Sequence, residues 1–173
     1  EKGRLDPIPP AVMAGLGTRI VDEVDVPQAV IRFGRPGLDR KDPDFIAGMV
    51  VNHILGGGAF TARLFREVRE KRGLAYSVYS QLQNYDRAAM VSGGTSTKNE
   101  RAAESLAVIE EQIRDLAANG PTAEELEKAK KFLVGSYALR FDTSTHIAGN
   151  LMHMQLDGYT PAYLDERNQR VAL

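Results

Sequence analysis

The chain has 173 residues with 22 basic and 23 acidic side chains, so its net charge is -1 at pH 7. This length corresponds to one domain with a sizeable core, and the balanced charge argues against a nucleic-acid-binding domain. No apolar run is long enough to cross a membrane. Because cysteine is absent, disulfides, thiolate nucleophiles and cysteine-ligated zinc are excluded.

The N-terminal segment has the composition of a connector. Residues 1–17 contain three prolines near their middle and two glycines at their end, so a linker is expected before a domain at 18–173. The chain begins with Glu1 and shows no signal-peptide pattern, which suggests a processed protein or a piece of a longer one.

Two strands and two helices are predicted next. Apolar residues alternate with acids over 20–26, and a second strand carries Ile31 and Phe33 on one face. Asp42 is a plausible N-cap of a helix that ends at three glycines, where a left-handed exit is expected. Periodicity predicts a further helix over 59–71, with Phe60 on its apolar face.

A β-hairpin followed by several helices is predicted for the rest of the chain. Residues 74–82 and 87–96 alternate as paired strands. Two capping-box patterns, at Thr97 and at Thr122, each have a glutamate three residues later and predict two helix starts; two further helices follow, one over about 143–156. The order of elements predicts an α+β fold, a mostly antiparallel sheet with helices packed on one face.

The histidines do not match known zinc-peptidase motifs. None of His53, His146 and His153 has a glutamate where the HExxH motif or its inverted form requires one. Asp142, His146 and His153 lie at i, i+4 and i+11 and could share a helix face as metal ligands. We favour ordinary helix residues with hydrogen-bonded imidazoles, because this spacing matches no known site.

Two other motifs have ordinary structural interpretations. Gly56, Gly57 and Gly58 are not followed by the glycine-lysine pair of a phosphate-binding loop, so a helix–helix corner is favoured. The charged stretch 63–72 is expected to be a solvated helix face. The residues by themselves therefore indicate a soluble, non-catalytic α+β domain.

One stretch, residues 52–80, resembles a known enzyme family. It reads NHILGGGAFTARLFREVREKRGLAYSVYS and is similar to the pitrilysin-type zinc peptidases, such as insulin-degrading enzyme and mitochondrial processing peptidase. The resemblance extends over about residues 18–172. Members combine a zinc-bearing domain with a similar inactive domain, and the missing zinc motif makes this chain resemble the inactive one.

The resemblance implies two catalytic residues, Arg69 and Tyr76, which would stabilise the substrate and the oxyanion at a zinc site held elsewhere. Arg72 and Tyr79 have the same spacing, but only Tyr76 follows a Gly-Leu-x step as in the family. The glycines at 56–58 align with a substrate-handling loop of processing-peptidase relatives and would have a supporting role.

The resemblance also implies the partners. A zinc-bearing domain or subunit and a peptide substrate are expected, with no metal or other cofactor in this chain, which is predicted to be inactive alone and to self-associate when isolated. The family suggests bacterial cytoplasm or periplasm and leaves the compartment open. A structural subunit without catalytic role, like the respiratory core subunits, is the alternative, and an independent metalloenzyme is a third.

Overall fold

A computed structural model describes residues 8–173 of the chain. One antiparallel sheet has the strand order β1-β3-β2. Its strands are β1 (Gln28–Pro36), β2 (Ala75–Tyr85) and β3 (Ala88–Lys98). A tight turn at Asp86 and Arg87 joins β2 to β3, which confirms the predicted hairpin.

Helical segments occupy most of the remaining chain. The α-helices of the described part are α1 (Phe45–Asn52), α2 (Ala102–Asn119), α3 (Ala123–Gly135), α4 (Ser144–Leu156) and α5 (Tyr163–Ala172). Two π-helical segments, His53–Gly57 and Phe65–Glu70, lie between α1 and β2. Short 3-10 turns are Ala59–Thr61, Asn99–Arg101 and Tyr137–Phe141. None of the helices in residues 8–173 combines the length and the apolar character that crossing a bilayer requires.

The helices cover one face of the sheet. In β1 the alternation is as predicted, because Ile31 and Phe33 are partly buried whereas Val30 is exposed. Buried apolar side chains from α1, both π-helical segments, α2, α3 and α5 form one core with those of β2, including Leu64, Val68, Val78, Ile109, Leu133 and Val171. The predicted α+β class is confirmed.

The predicted strand at 20–26 is wrong. Residues 8–27 form neither helix nor strand, and Ile20 is 79% exposed. Alternation stabilises a strand only where a neighbouring strand and a core receive it, and this segment has neither within the described residues. The connector boundary stays a prediction, because residues 1–7 lie outside the described part.

Of the two predicted capping boxes, one forms. The Thr122 hydroxyl accepts a hydrogen bond from the Glu125 amide, whose side chain accepts in return from the Thr122 amide, so the start of α3 is confirmed. The Thr97 prediction is wrong, because this residue is buried at the end of β3. Its hydroxyl donates to the Leu74 carbonyl, and α2 begins only at Ala102.

Buried ion pairs lie where a solvated helix face was expected. Arg63 is only 5% exposed and donates through Nε and Nη2 to Glu125, at 2.8 and 2.7 Å, and through Nη1 to Asp115 at 2.6 Å. Glu67 is also buried and accepts from Lys71 at 2.7 Å and from Arg72 at 2.8 Å. Arg63 therefore ties the helical segment before β2 to the junction of α2 and α3.

The glycines at 56–58 do not form the expected left-handed exit. The positive φ belongs to Ala59, at 47°, while Gly58 has φ of -84°. Position 56 requires glycine because its backbone packs directly against β2. A Cβ there would lie 2.5 Å from the backbone nitrogen of Ser80. The turn after position 58 also leaves Phe60 71% exposed, against the predicted apolar face.

We expect the stability of the fold to decrease as the pH falls from about 4.5 toward 2. The hydrogen bond from Arg63 is the main reason that the pKa of Glu125 is lowered to about 2. Burial raises the pKa of Glu67, but hydrogen bonds from Lys71 and Arg72 outweigh it and bring that pKa to about 2 as well. Within this window the unfolded chain binds more protons than the folded one, so acid favours unfolding.

Urea denaturation at several pH values measures this effect. Glu125→Gln should flatten the dependence, whereas Glu111→Gln, which changes an exposed carboxylate of α2, should not. A free energy of unfolding that stays constant between pH 5 and pH 3 (about the upper half of the window) would contradict the role given to these two carboxylates.

Gly56→Ala should destabilise the fold by about 1–3 kcal/mol, because the new methyl group would overlap a backbone atom that cannot move aside. Gly149→Ala in α4 is the matched control, since no atom lies within 4 Å of its Cβ position. There alanine should stabilise the helix by about 0.5–1 kcal/mol. Chemical denaturation of the two variants measures both effects, and equal changes would contradict the close-packing explanation.

Candidate functional site

The structure brings Arg69 and Tyr76 into contact. The guanidinium carbon of Arg69 lies 4.5 Å from the centroid of the Tyr76 ring and 4.7 Å from that of Phe65. Phe65 and Arg69 are one turn apart on the same π-helical segment, so their side chains meet on one face. Both distances are within the range of cation–π attraction, which holds the guanidinium between the two rings.

A β-bulge sets the direction of Tyr76. Ala75 pairs with Thr97 and Val78 with Thr95, so β2 has one extra residue over this interval. Leu74 and Val78 are buried while Tyr76 is 81% exposed, although simple alternation predicts one face for all three. A bulge re-aims a side chain in this way, and here it presents the phenol to solvent beside Arg69.

The second pair with the same spacing is not brought together. Arg72 donates to the carboxylate and the backbone carbonyl of Glu67. The Tyr79 hydroxyl accepts a hydrogen bond from Arg32 on β1. Among residues 8–173, by contrast, Arg69 forms no ion pair, so its N–H donors are available to a ligand.

Two further aromatic side chains adjoin the pair, and the sequence analysis did not predict this. Phe60 packs edge-on against Phe65, with ring centroids 5.0 Å apart. Phe60, Phe65, Arg69 and Tyr76 thus form a continuous row that ends at the exposed phenol. The i, i+4 spacing of Phe65 and Arg69 was the available signal, whereas nothing local in the sequence indicates the contact with Phe60.

A groove of about 530 Å³ adjoins Tyr76 at the end of the sheet. It is lined by the first residues of β2 and the last of β3, including Ser96 and Lys98, together with Gln28 of β1. Gly56 and Gly57 line a different groove, together with later residues of β2 such as Ser80 and Leu82. The three site glycines are therefore not part of the cavity beside the Arg69–Tyr76 pair.

The histidines do not fit a zinc site. His53 is buried against the Phe132 ring at 5.0 Å, and burial lowers the pKa of its imidazole. His146 Nδ1 lies 2.6 Å from an Asp142 carboxylate oxygen. Among residues 8–173 no three His, Asp or Glu side chains are grouped as metal ligands, so Asp142, His146 and His153 do not form the alternative metal site.

Comparisons with known proteins identify the family of the chain. Residues 5–133 match the family described as "Peptidase M16 inactive domain". A peptidase M16 inactive domain from Pseudomonas fluorescens is 33% identical and superposes with a TM-score of 0.78, covering 85% of this chain and 34% of that one.

Two bacterial proteins are similar in sequence. The "Non-peptidase homolog YmxG" of Helicobacter pylori is 38% identical over 69% of this chain and 28% of its own length. The "Uncharacterized zinc protease SCO5738" of Streptomyces coelicolor is 32% identical over 84% of this chain and 31% of its own length. The chain thus spans about a third of these relatives, and it belongs to the peptidase M16 inactive-domain family.

Proposed function

We propose that this chain is the non-zinc domain or subunit of a zinc metalloendopeptidase, and that it supplies Arg69 and Tyr76 to a catalytic centre whose zinc is held by a partner. The observation that carries the proposal is the contact between these two side chains, with an exposed phenol and a guanidinium free of ion pairs within the described residues. A purely structural subunit needs neither.

The two side chains have different roles in this proposal. The Tyr76 hydroxyl donates a hydrogen bond to the oxyanion that develops as the peptide bond is attacked, a contact stronger in the transition state than in the ground state. Arg69 donates to a neighbouring carbonyl of the substrate and fixes its register. The zinc would be held by the partner, since among residues 8–173 no three His, Asp or Glu side chains are grouped as metal ligands.

The partner half and this chain would enclose an extended peptide between them. The groove beside Tyr76 gives such a peptide room at the end of the sheet. The glycines would support it indirectly, because Gly56 lets its helical segment approach β2 while Gly57 and Gly58 pack closely against Asn52 and His53. The partner is either the remainder of a longer chain or a separate subunit. Bacterial relatives support a bacterial protein, and we keep both cytoplasm and periplasm open.

A structural or scaffolding role is the second candidate. One relative, at 38% identity, is itself named a non-peptidase homolog. The two candidates differ in what they require of Tyr76, because a scaffold tolerates loss of the hydroxyl as long as the ring still contacts Arg69.

Tyr76→Phe tests this difference directly. With the zinc-bearing partner present, we expect kcat for a quenched peptide to fall about 10²–10³-fold, as for other oxyanion donors. Tyr79→Phe is the matched control, since it removes a hydroxyl that is already bonded to Arg32, and it should leave kcat unchanged. Arg69→Lys keeps the charge and should mainly raise KM.

The outcome separates the candidates. If the mixture cleaves the peptide and Tyr76→Phe is as active as wild type while both fold equally by circular dichroism, the domain is a scaffold. If Tyr79→Phe loses as much activity as Tyr76→Phe, the effect belongs to the strand and not to the phenol.

We also propose that the isolated chain self-associates. The 3-10 turn before α4 and α4 itself expose large apolar side chains: Leu139, Ile147, Met152 and Leu156. Exposed apolar surface of this kind is a common contact between proteins. Light scattering should give a mass that rises with concentration, and Leu156→Gln should reduce the rise more than Val12→Gln, which changes an exposed residue of the N-terminal segment. A monomer mass at every concentration would contradict this.

A further inference from the structure

A second groove, of about 640 Å³, lies between β2 and the C-terminal helices. We call it the arginine groove after three of its lining residues, Arg40, Arg140 and Arg167. Its volume is in the range of ligand-binding pockets. Nothing in the proposed role of Arg69 and Tyr76 uses it, because those two residues do not line it.

Arg167 is a buried cation without a carboxylate partner among the described residues. It is 4% exposed, and its Nη1 donates to the Leu133 carbonyl at 2.8 Å and to the Asn168 side-chain oxygen at 2.7 Å. Its guanidinium carbon lies 4.3 Å from the Tyr137 ring centroid. These neutral contacts satisfy hydrogen-bond donors of the guanidinium, but a buried charge is stabilised fully only by an opposite charge.

The neighbouring charges increase this imbalance. Asp157, the carboxylate among the lining residues, is already paired with Arg40 at 3.1 Å. Arg140 forms no ion pair among residues 8–173. Burial lowers the pKa of Arg167, the neighbouring Tyr137 opposes this, and the positive charge of Arg140 lowers the pKa further. Arg140 and Arg167 thus line one cavity whose carboxylate, Asp157, is already paired with Arg40.

A structural role explains only part of this arrangement. The Arg167 hydrogen bond to Leu133 joins α5 to α3, and a buried arginine can be retained for such a link. Arg140 is exposed, and its side chain forms no hydrogen bond or ion pair within the part of the chain that the structure describes, so the link does not explain why a second cation lines the same cavity. A bound anion would explain both, because it would stabilise the two charges together.

We propose that the arginine groove binds a side-chain carboxylate, Asp or Glu, of an extended peptide. A guanidinium fork matches a carboxylate with two parallel hydrogen bonds. Because Nη1 of Arg167 already donates to Leu133 and Asn168, the fork is its Nε and Nη2. This Nη2 lies 3.8 Å from the Met49 sulfur. Aromatic and apolar side chains, including Phe141, Met154 and Tyr163, line the same cavity and suit the residues that flank an acidic one. This binding is independent of zinc and of peptide hydrolysis.

The test is fluorescence anisotropy with the 173-residue chain and no partner. The probe is a fluorescein-labelled peptide, Ala-Leu-Glu-Ala-Leu, and the matched peptide has glutamine in place of glutamate. We expect the glutamate peptide to bind at least about tenfold more tightly. Arg140→Gln, a change of an exposed side chain, should weaken its binding about tenfold, whereas Arg114→Gln, which removes an arginine of α2 outside the groove, should not.

A stability measurement accompanies the binding assay. Because Arg140→Gln removes a repulsive neighbour of Arg167, its Tm without peptide should be equal to or higher than that of wild type, which a purely structural arginine would not give. Arg167→Lys, which keeps the buried charge and loses the fork, should weaken peptide binding while circular dichroism reports an intact fold.

Several results would overturn the proposal. Equal binding of the glutamate and glutamine peptides would do so, as would equal losses in Arg140→Gln and Arg114→Gln, or no binding of either peptide. If inorganic phosphate raises the Tm of wild type and neither peptide binds, the groove takes a small anion and the peptide assignment is wrong. None of these results depends on cleavage, so they leave the role of Tyr76 separately testable.

Discussion

The arrangement of the helices depends on the ion pairs that the buried Arg63 guanidinium forms. This guanidinium joins the Glu125 carboxylate at the start of α3, Asp115 near the end of α2 and the Gly120 carbonyl between them. Removing Glu125 would leave the buried Arg63 charge with only the exposed Asp115 as counter-charge, which costs more than the pair itself contributes. The segment that carries Arg69 begins two residues later, so its position follows from this cluster.

The Arg69–Tyr76 contact needs two irregular elements at once. A π-helical segment places Phe65 below Arg69, and the bulge in β2 turns Tyr76 out of the sheet toward the same guanidinium. Gly73, with φ of 57°, makes the short connection between these elements. A regular strand would place the phenol on the same face as the buried Val78, away from Arg69 and solvent.

Patterns that depend on neighbours in sequence predicted the fold well. The hairpin, the alternation in β1 and the capping box at Thr122 are local, so the sequence was sufficient for them. Whether Thr97 belongs to β3 or begins α2 could not be decided from its local pattern. The burial of Arg63 depended on carboxylates more than fifty residues away. The resemblance of residues 52–80 pointed to Arg69 and Tyr76 as the candidate pair, while the bulge that orients Tyr76 has no signature in the sequence.

The strand order β1-β3-β2 has a consequence for how the chain folds. The two strands of the hairpin are joined by a tight turn and can pair early, whereas β1 pairs with β3 across the whole helical region between Gly37 and Leu74. Closing so long a loop is entropically costly and slows folding. The amides of β1 should therefore become protected from hydrogen exchange after those of the hairpin, and during synthesis β1, which is made before the hairpin, would still be the last of the three strands to join the sheet.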